Sequence, residues 1–123
     1  MTPETLARIR QDQVNKGDVL QVARIAGIMA GKKTSELIPL CHTIQVTSLK
    51  VNFTVNETLP GLIVEAEASS VGKTGAEMEA LTAVSIALLT IYDMAKSLDR
   101  AMVMSQVKLL SKEGGKSGQW SAE

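Results

Sequence analysis

Residues 72–96 read GKTGAEMEALTAVSIALLTIYDMAK, and this stretch decides the fold. Charged residues stand at both ends, whereas no residue from Ala80 to Tyr92 is charged. The stretch predicts a helix over about residues 75–98, and a helix that is apolar on nearly every side must be buried on nearly every side. A chain of 123 residues offers little material to cover it. The stretch therefore predicts a second subunit packed against this helix.

The ionisable residues of this helix stand at its two ends. At a rise of about 1.5 Å per residue, Glu79 and Asp93 would lie about 21 Å apart along the axis. One small ligand cannot easily touch both carboxylates from a single straight helix. Either the chain has two sites, or subunits pair so that opposite helix ends meet.

Two further helices are predicted near the start of the chain. The first begins at Thr2-Pro3-Glu4, where a capping threonine precedes a proline at the first helical position, and runs to Val14. Asp18 can cap the second helix, whose apolar residues recur at helical spacing until Gly31.

Antiparallel strands are predicted between these helices and the long one. Apolar side chains occupy every second position in residues 49–55 and again in residues 62–69, as they do in half-buried strands. The connection Asn56–Gly61 contains proline and glycine and predicts a hairpin loop. The apolar residues before the first strand are out of phase with it, which predicts a bulge near Thr47-Ser48.

The remaining sequence completes an α+β fold. A third strand is predicted over about residues 101–111, and a flexible, glycine-rich tail from about residue 113. No repeat or interdomain linker interrupts the chain, so residues 1–123 are expected to form a single domain.

Composition argues against several classes of function. The net charge is zero and aromatic residues make up 2% of the chain, whereas nucleic-acid-binding domains usually carry a basic excess and stacking aromatics. Cys41 is the single cysteine, so no internal disulfide can form. The N-terminus has no apolar leader, and the uncharged stretch is shorter than the about 20 residues of a membrane span. We expect a cytoplasmic protein with no nucleic-acid or membrane partner.

Glycines and a lysine precede the long helix in residues 72–75. A complete phosphate-binding P-loop would need a glycine where Glu67 stands, so that motif is excluded. Free amides at a helix N-terminus beside Lys73 still suit an anion. The alternative is a glycine turn that only joins a strand to a helix.

The charged residues at the helix ends each allow two interpretations. Glu77 and Glu79 are two residues apart, point to different faces and suit the helix dipole, so they are not a matched carboxylate pair. Asp93 and Lys96 are three apart and share a face. They form either an ordinary helical ion pair or an acid/base unit beside the buried helix end.

His42 is the only histidine and stands next to Cys41. One histidine and one cysteine make an incomplete ligand set, so no metal site is expected. Neighbouring residues of an extended chain point apart, which argues against a Cys–His nucleophile pair. A substrate-binding role and a structural role for His42 both stay open.

Lysines gather at loops and element ends, and the set comprises Lys16, Lys32, Lys33, Lys73, Lys96, Lys112 and Lys116. Solubility explains any one of them. Several stand beside glycines, as in Lys16-Gly17-Asp18 and residues 114–118. That combination favours a phosphorylated small molecule as the ligand.

Ordered sequence blocks span the chain from Lys16 to Gly118. They are KGDV (16–19), ARIAGI (23–28), LIPLCH (37–42), GKTG with EMEALT (72–75 and 77–82), IYDM with a lysine (91–94 and 96) and GGKSG (114–118). Together they resemble the molybdenum cofactor biosynthesis protein C family, the cyclic pyranopterin monophosphate synthases. Each block is modest alone, but the ordered set is specific.

The resemblance implies a ferredoxin-like antiparallel sheet packed with helices, and a hexamer built as a trimer of dimers with the site between subunits. It also implies conversion of 3′,8-cyclo-7,8-dihydroguanosine 5′-triphosphate to cyclic pyranopterin monophosphate and pyrophosphate, without an organic cofactor. By the same resemblance Asp93 is the catalytic acid/base and Lys96 its catalytic neighbour. The substrate-binding positions it implies are Lys16, Leu40, Cys41, His42, Glu77, Met78, Glu79, Lys112 and Lys116.

One departure from the family and one rival hypothesis accompany this interpretation. Family members commonly carry an additional N-terminal segment that includes a strand, so the sheet is expected to lack an edge strand and its open edge to be sticky.

The rival is a non-catalytic oligomeric module that binds a nucleotide or pterin and regulates a partner. The pair Asp93 and Lys96 distinguishes the two, because a binding module does not require an acid/base pair.

Overall fold

The computed structural model describes residues 1–122 and has an α+β architecture, as the sequence predicts. Helices pack against an antiparallel hairpin, and a second, much smaller hairpin ends the chain. In chain order the elements are α1 (Pro3–Arg10), α2 (Val19–Lys32), α3 (Thr34–Leu37), β1 (Val46–Asn56), β2 (Gly61–Ser70), α4 (Glu77–Ala95), β3 (Ser111–Lys112) and β4 (Trp120–Ser121).

The predicted caps of the first two helices are confirmed. The Thr2 hydroxyl accepts a hydrogen bond from the Thr5 amide at 3.1 Å, and the Asp18 carboxylate accepts one from the Gln21 amide at 3.1 Å. Helix α1 is shorter than predicted, because Asp12 adopts a left-handed backbone conformation (φ 54°) that ends the helix. Val14, beyond that end, is still buried in the core.

Helices α2 and α4 pack closely because small residues line their contact. A Cβ atom placed on Gly27 would lie 2.8 Å from the Ala83 carbonyl oxygen and 3.2 Å from the Ala87 Cβ. Ala23, Ala83 and Ala87 are completely buried at this contact. Glycine at position 27 therefore lets the two helix backbones approach, and the uncharged helix is covered on this side.

Strands β1 and β2 form the predicted hairpin, with a register shift between Val46 and Ser48 that confirms the predicted bulge. Apolar pairs such as Val51–Ala66 face the helices, and Val51 is part of the buried core. The polar residues between them face outward, and among these Lys50 stands opposite Glu67. The hairpin thus has one face on the core and one toward solvent.

The predicted third strand over residues 101–111 is wrong for most of its length. Between residues 101 and 112 only Ser111–Lys112 forms a strand, and it pairs with Trp120–Ser121 rather than with the main hairpin. The reason is that an open groove of about 1210 Å³ separates β2 from residues 101–114. Without a hydrogen-bonding neighbour, residues 102–110 run as irregular chain.

Helix α4 is the central element of the fold, and part of its outer side is uncovered. By length and composition it would pass as a membrane span, as do the core helices of many water-soluble proteins. Here it packs against α2 and both strands of the hairpin, which is a core-helix arrangement. The side of α4 that carries Ser85 and Leu89 is exposed, with Leu89 49% accessible. One chain therefore leaves part of the apolar helix open to solvent.

Candidate active site

The ionisable residues singled out by the sequence form two separate clusters, one at each end of α4. The basic cluster at the C-terminal end consists of Asp93, Lys96 and Lys16. The glycine-loop cluster at the N-terminal end consists of Glu77, Lys112 and the loops around Lys73 and Gly115.

In the basic cluster, both oxygens of the Asp93 carboxylate accept hydrogen bonds from lysines. The Lys96 Nζ donates to Oδ1 at 2.9 Å, across one helical turn, and the Lys16 Nζ donates to Oδ2 at 3.1 Å. The Lys16 Nζ also lies 3.2 Å from the Asp93 main-chain carbonyl oxygen. Lys16 reaches this position because α1 and α2 are joined by a short turn that crosses the end of α4.

The environment of Asp93 keeps this carboxylate ionised. Hydrogen bonds from Lys96 and then from Lys16 lower its pKa below the ordinary value, and the positive charges of both lysines act in the same direction. All three side chains are about half exposed, so burial opposes this effect only weakly. Attraction by the two lysines therefore outweighs the effect of burial at Asp93. Near neutral pH Asp93 is therefore a carboxylate, which can accept a proton but has none to donate.

In the glycine-loop cluster, a partly buried ion pair joins α4 to the C-terminal hairpin. The Lys112 Nζ lies 3.6 Å from Oε2 of Glu77, and their side chains are 16% and 30% exposed. That Glu77 oxygen is buried and has no hydrogen-bond partner within residues 1–122. Glu77 therefore directs its charge at Lys112 across a distance somewhat too long for a hydrogen bond.

The two glycine loops of the chain touch each other beside this ion pair. The Gly115 amide donates to the Lys73 carbonyl oxygen at 2.6 Å, so residues 113–118 lie against the turn that precedes α4. Gly114 and Gly115 both have positive φ angles, 83° and 70°, which glycine adopts at little cost. The stretch expected as a flexible tail lies beside the helix N-terminus here. Sequence reasoning missed this contact, since nothing in the spacing connects Lys73 with Gly115, which stand 42 positions apart.

Glu79 is buried, and it belongs to neither ion pair. The residue is 4% exposed, next to the contact between α4 and α2, where Gly31 approaches its main chain. Burial raises the pKa of the Glu79 carboxyl, a nearby main-chain hydrogen bond opposes the rise, and the charge of Glu77 adds to it. Met78, between the two glutamates, is at the surface with 36% exposure.

The predicted substrate loop Leu40-Cys41-His42 projects from the molecule after α3. Leu40 is fully exposed and has a positive φ of 57°, and the Cys41 thiol makes only a long contact of 3.8 Å to the His42 carbonyl oxygen. His42 is exposed. Within residues 1–122, neither the His42 side chain nor that of Lys116 is hydrogen-bonded to either cluster.

The structure therefore brings together Asp93, Lys96 and Lys16, and separately Glu77 and Lys112, but it does not unite the two groups. Glu79 and Asp93 are about 21 Å apart along the helix by its rise of about 1.5 Å per residue. The large groove beside β2 is lined by Glu77 but by neither Glu79 nor Asp93. Among the described residues, no three histidine, cysteine, aspartate or glutamate side chains cluster as metal ligands would.

Comparison with known proteins supports the resemblance drawn from the sequence blocks. A relative from Syntrophomonas wolfei, named cyclic pyranopterin monophosphate synthase, is 56% identical over 118 residues, which cover 96% of this chain and 75% of the relative. A protein of the same name from Dinoroseobacter shibae is 54% identical over 123 residues, covering 100% of this chain and 78% of its own. The family model described as the MoaC family matches residues 1–115 of this chain. The chain therefore belongs to the MoaC family.

Proposed function

We infer that this chain catalyses the reaction for which its relatives are named. It is a lyase of molybdenum cofactor biosynthesis that converts 3′,8-cyclo-7,8-dihydroguanosine 5′-triphosphate to cyclic pyranopterin monophosphate and pyrophosphate. The single structural observation that supports this chemistry best is the Asp93 carboxylate held between two lysines at 2.9 and 3.1 Å.

We assign Asp93 the role of the proton acceptor. Its lowered pKa means that it enters the reaction as a carboxylate, and it is exposed enough for a substrate to reach it. When a substrate proton moves to Asp93, the two ammonium groups lose part of their partner charge. Lys96 and Lys16 can then turn toward negative charge that develops on the substrate or on its phosphates.

We propose that the complete site forms between subunits, in a homohexamer built as a trimer of dimers. The axial separation of the two clusters supports this arrangement, because one small substrate cannot reach both ends of α4 in one chain. The exposed side of α4 around Leu89 and the apolar residues Val22, Ile25 and Met29 on α2 offer surfaces for such contacts. In a hexamer, Glu79 and His42 of one chain would face Asp93 of another. We also propose a cytoplasmic location.

The test is turnover of the cyclised nucleotide, followed by release of pyrophosphate at saturating substrate. Asp93→Asn and Lys96→Ala should each lower turnover by about 10²-fold or more, the size expected when a general base or its partner is lost. A matched control is the exposed ion pair of Arg10 and Glu57 at 2.9 Å, which belongs to neither cluster. Glu57→Gln removes a comparable surface pair and should leave turnover unchanged.

Circular dichroism and sedimentation must show that all three variants keep the fold and assembly of the unmodified chain. If Asp93→Asn stays folded and turns over at the unmodified rate, the assignment of Asp93 as the base is wrong. If the unmodified chain releases no pyrophosphate, the rival hypothesis of a non-catalytic binding module gains.

A further inference from the structure

We propose that Trp120 stacks against the fused heterocyclic ring of the nucleotide substrate, beside the N-terminal end of α4. This inference rests on the proposed function, because it names the part of that substrate which the glycine-loop cluster binds. It adds a substrate-contacting residue that lies beyond the last sequence block, which ends at Gly118.

The first observation is that Trp120 is the aromatic residue which the fold does not use. The chain has one phenylalanine, one tyrosine and one tryptophan. Phe53 holds the Arg24 guanidinium 5.3 Å from its ring centroid, and the Tyr92 hydroxyl donates to the Arg100 carbonyl oxygen at 2.9 Å. Trp120 is 46% exposed and belongs neither to the core of residues 1–122 nor to the partly buried residues packed against it. Core packing therefore gives no reason for a large aromatic side chain at this position.

The second observation is that the C-terminal hairpin directs Trp120 toward the glycine-loop cluster. In its register Trp120 stands directly opposite Lys112. Residues opposite each other in an antiparallel pair point to the same face, with Cβ atoms about 5 Å apart. Lys112 extends on this face toward Glu77 at the start of α4. The indole therefore stands on the face of the hairpin that is turned to the cluster.

The Lys112 ammonium group supplies a hydrogen-bond donor beside the indole. Its Nζ lies 3.6 Å from the Glu77 carboxylate, which is longer than a hydrogen bond. A Cβ atom placed on Gly115 would lie 3.3 Å from the same Nζ, so the glycine loop lies close against it. A guanine-type ring carries a carbonyl oxygen on its edge, and lysine donates to that oxygen in nucleic-acid recognition. A ring stacked on Trp120 would therefore meet a donor at its edge.

Space for such a ring is present beside these two side chains. A shallow cavity of about 320 Å³ is lined by Lys112 and Trp120 among others. Pockets for small molecules begin at about 300 Å³, so this one suits a fused ring rather than a whole nucleoside triphosphate. The sugar and the phosphates would then lie outside it, toward the rest of the site.

Tryptophan is suited to this role because its large flat face attracts other rings. Stacking needs no hydrogen-bond partner, so an indole on a small, partly exposed hairpin is enough. The contact is made equally with the bound ground state and with later states of the ring. Its loss should therefore raise KM rather than lower kcat.

The binding experiment uses the fact that Trp120 is the single tryptophan, so the indole fluorescence of the chain reports on this residue alone. The cyclised nucleotide is titrated into the Asp93→Asn variant, which is expected to bind it without turnover. We expect saturable quenching of the indole emission. Inorganic triphosphate, which has no ring, should compete with the nucleotide and cause no quenching of its own. Free N-acetyltryptophanamide, titrated in parallel, corrects for absorption and for collisional quenching.

The kinetic experiment compares three substitutions at position 120. Trp120→Ala and Trp120→Leu should each raise KM at least about fivefold, the size expected for the loss of one stacked base. Trp120→Phe keeps a flat aromatic face and should stay within about twofold of the unmodified chain. Leucine keeps an apolar side chain without that face, so it is the matched control for packing. Amide exchange at Ala122, which donates to the Leu110 carbonyl oxygen at 2.7 Å, shows whether each variant keeps the hairpin in place.

Equal KM values for Trp120→Phe and Trp120→Leu would overturn the proposal, because Trp120 would then act only by packing. Binding of the cyclised nucleotide without any change in indole emission would overturn it as well. Failure of the proposed function has a different signature, namely no pyrophosphate release by the unmodified chain. The fluorescence titration does not depend on turnover, so it tests the stacking contact in that case too.

Discussion

Asp93 and Glu79 are carboxylates on the same helix, and their surroundings move their pKa values in opposite directions. Asp93 is about half exposed and accepts hydrogen bonds from two lysines, which lower its pKa. Glu79 is buried at the contact with α2, and burial raises its pKa. Residue type alone would suggest two similar acids. Their difference arises from what lies beside them, namely two lysines at Asp93 and the buried contact with α2 at Glu79.

The largest expected effect tests whether the two ends of α4, with Asp93 and Glu79, contribute to one active site. Asp93→Asn and Glu79→Gln should each lose most turnover alone. If one site takes Asp93 from one subunit and Glu79 from another, mixed assemblies regain intact sites, about a quarter of the total for random pairing across two-fold interfaces. The measurement is pyrophosphate release after the two variants are unfolded together and refolded.

A matched control refolds each inactive variant with itself, which must stay inactive. Mixed samples that show no more activity than the sum of the two separate samples would contradict a shared site. The two ends of α4 would then serve different sites.

Much of this arrangement could be predicted from the sequence. The caps at Thr2 and Asp18, the hairpin and the bulge are local features, written in residues that are neighbours along the chain. The pair Asp93–Lys96 is local as well, because residues three apart share a helix face. Lys16 was predicted as one of several lysines beside glycine loops, but its contact with Asp93 was not, since no periodicity connects the two residues across the fold.

The features that could not be predicted depend on what a segment meets after folding. Residues 101–111 have the composition of a strand, but a strand needs a hydrogen-bonding neighbour. The groove keeps most of this segment too far from β2 for such pairing. Likewise, a glutamate near a helix N-terminus is favourable in the helix dipole, so the position of Glu77 alone indicates no partner. Its pairing with Lys112 depends on where the C-terminal hairpin packs. The pKa directions of the two carboxylates also follow only from burial and partners.

The next prediction sharpens the comparison at the glycine-loop end. Glu77→Gln keeps the shape of the side chain and removes its charge, which leaves the Lys112 ammonium partly buried without its partner. We expect faster amide exchange at Gly115 and a several-fold rise in KM with little change in kcat. Glu77 would then position the loop through Lys112 rather than touch the reacting atoms.

Glu113→Gln is the matched control, because Glu113 is the exposed neighbour of Lys112 and has no ion pair within residues 1–122. Glu77→Asp should behave between the unmodified chain and Glu77→Gln. Unchanged exchange at Gly115 in Glu77→Gln would show that the ion pair does not hold the loop.

A smaller effect concerns the stability of the chain as a function of pH. A carboxyl whose pKa is raised in the folded state binds its proton more tightly there than when unfolded, so its contribution to stability is lost as pH rises from the ordinary pKa through the raised one. Glu79→Gln should abolish that loss and make the free energy of unfolding higher near neutral pH than in the unmodified chain. Urea unfolding between pH 4 and 8 measures it, and Glu36→Gln, an exposed site, serves as the control.

The smallest predicted effect is on the titration of Asp93 itself, and it tests the basic cluster directly. Lys96→Ala removes the hydrogen bond that lowers the pKa of Asp93 most, and Lys16→Ala removes the second. Each change should raise the pKa of Asp93 toward the ordinary aspartate value, more in Lys96→Ala than in Lys16→Ala. The NMR chemical shift of the Asp93 carboxyl carbon, recorded between pH 2 and 6, measures this pKa.

Because the pKa of Asp93 is lowered in the folded state, the cluster stabilises the fold at pH values above the pKa of the unfolded state. That stabilisation is lost as pH falls through the pKa of the folded state. The exposed side chains and screening by salt keep this gain small, so the shift is a better measure than unfolding. Arg10→Ala should not move it, and a pKa unchanged in both lysine variants would mean that neither lysine holds Asp93 in solution.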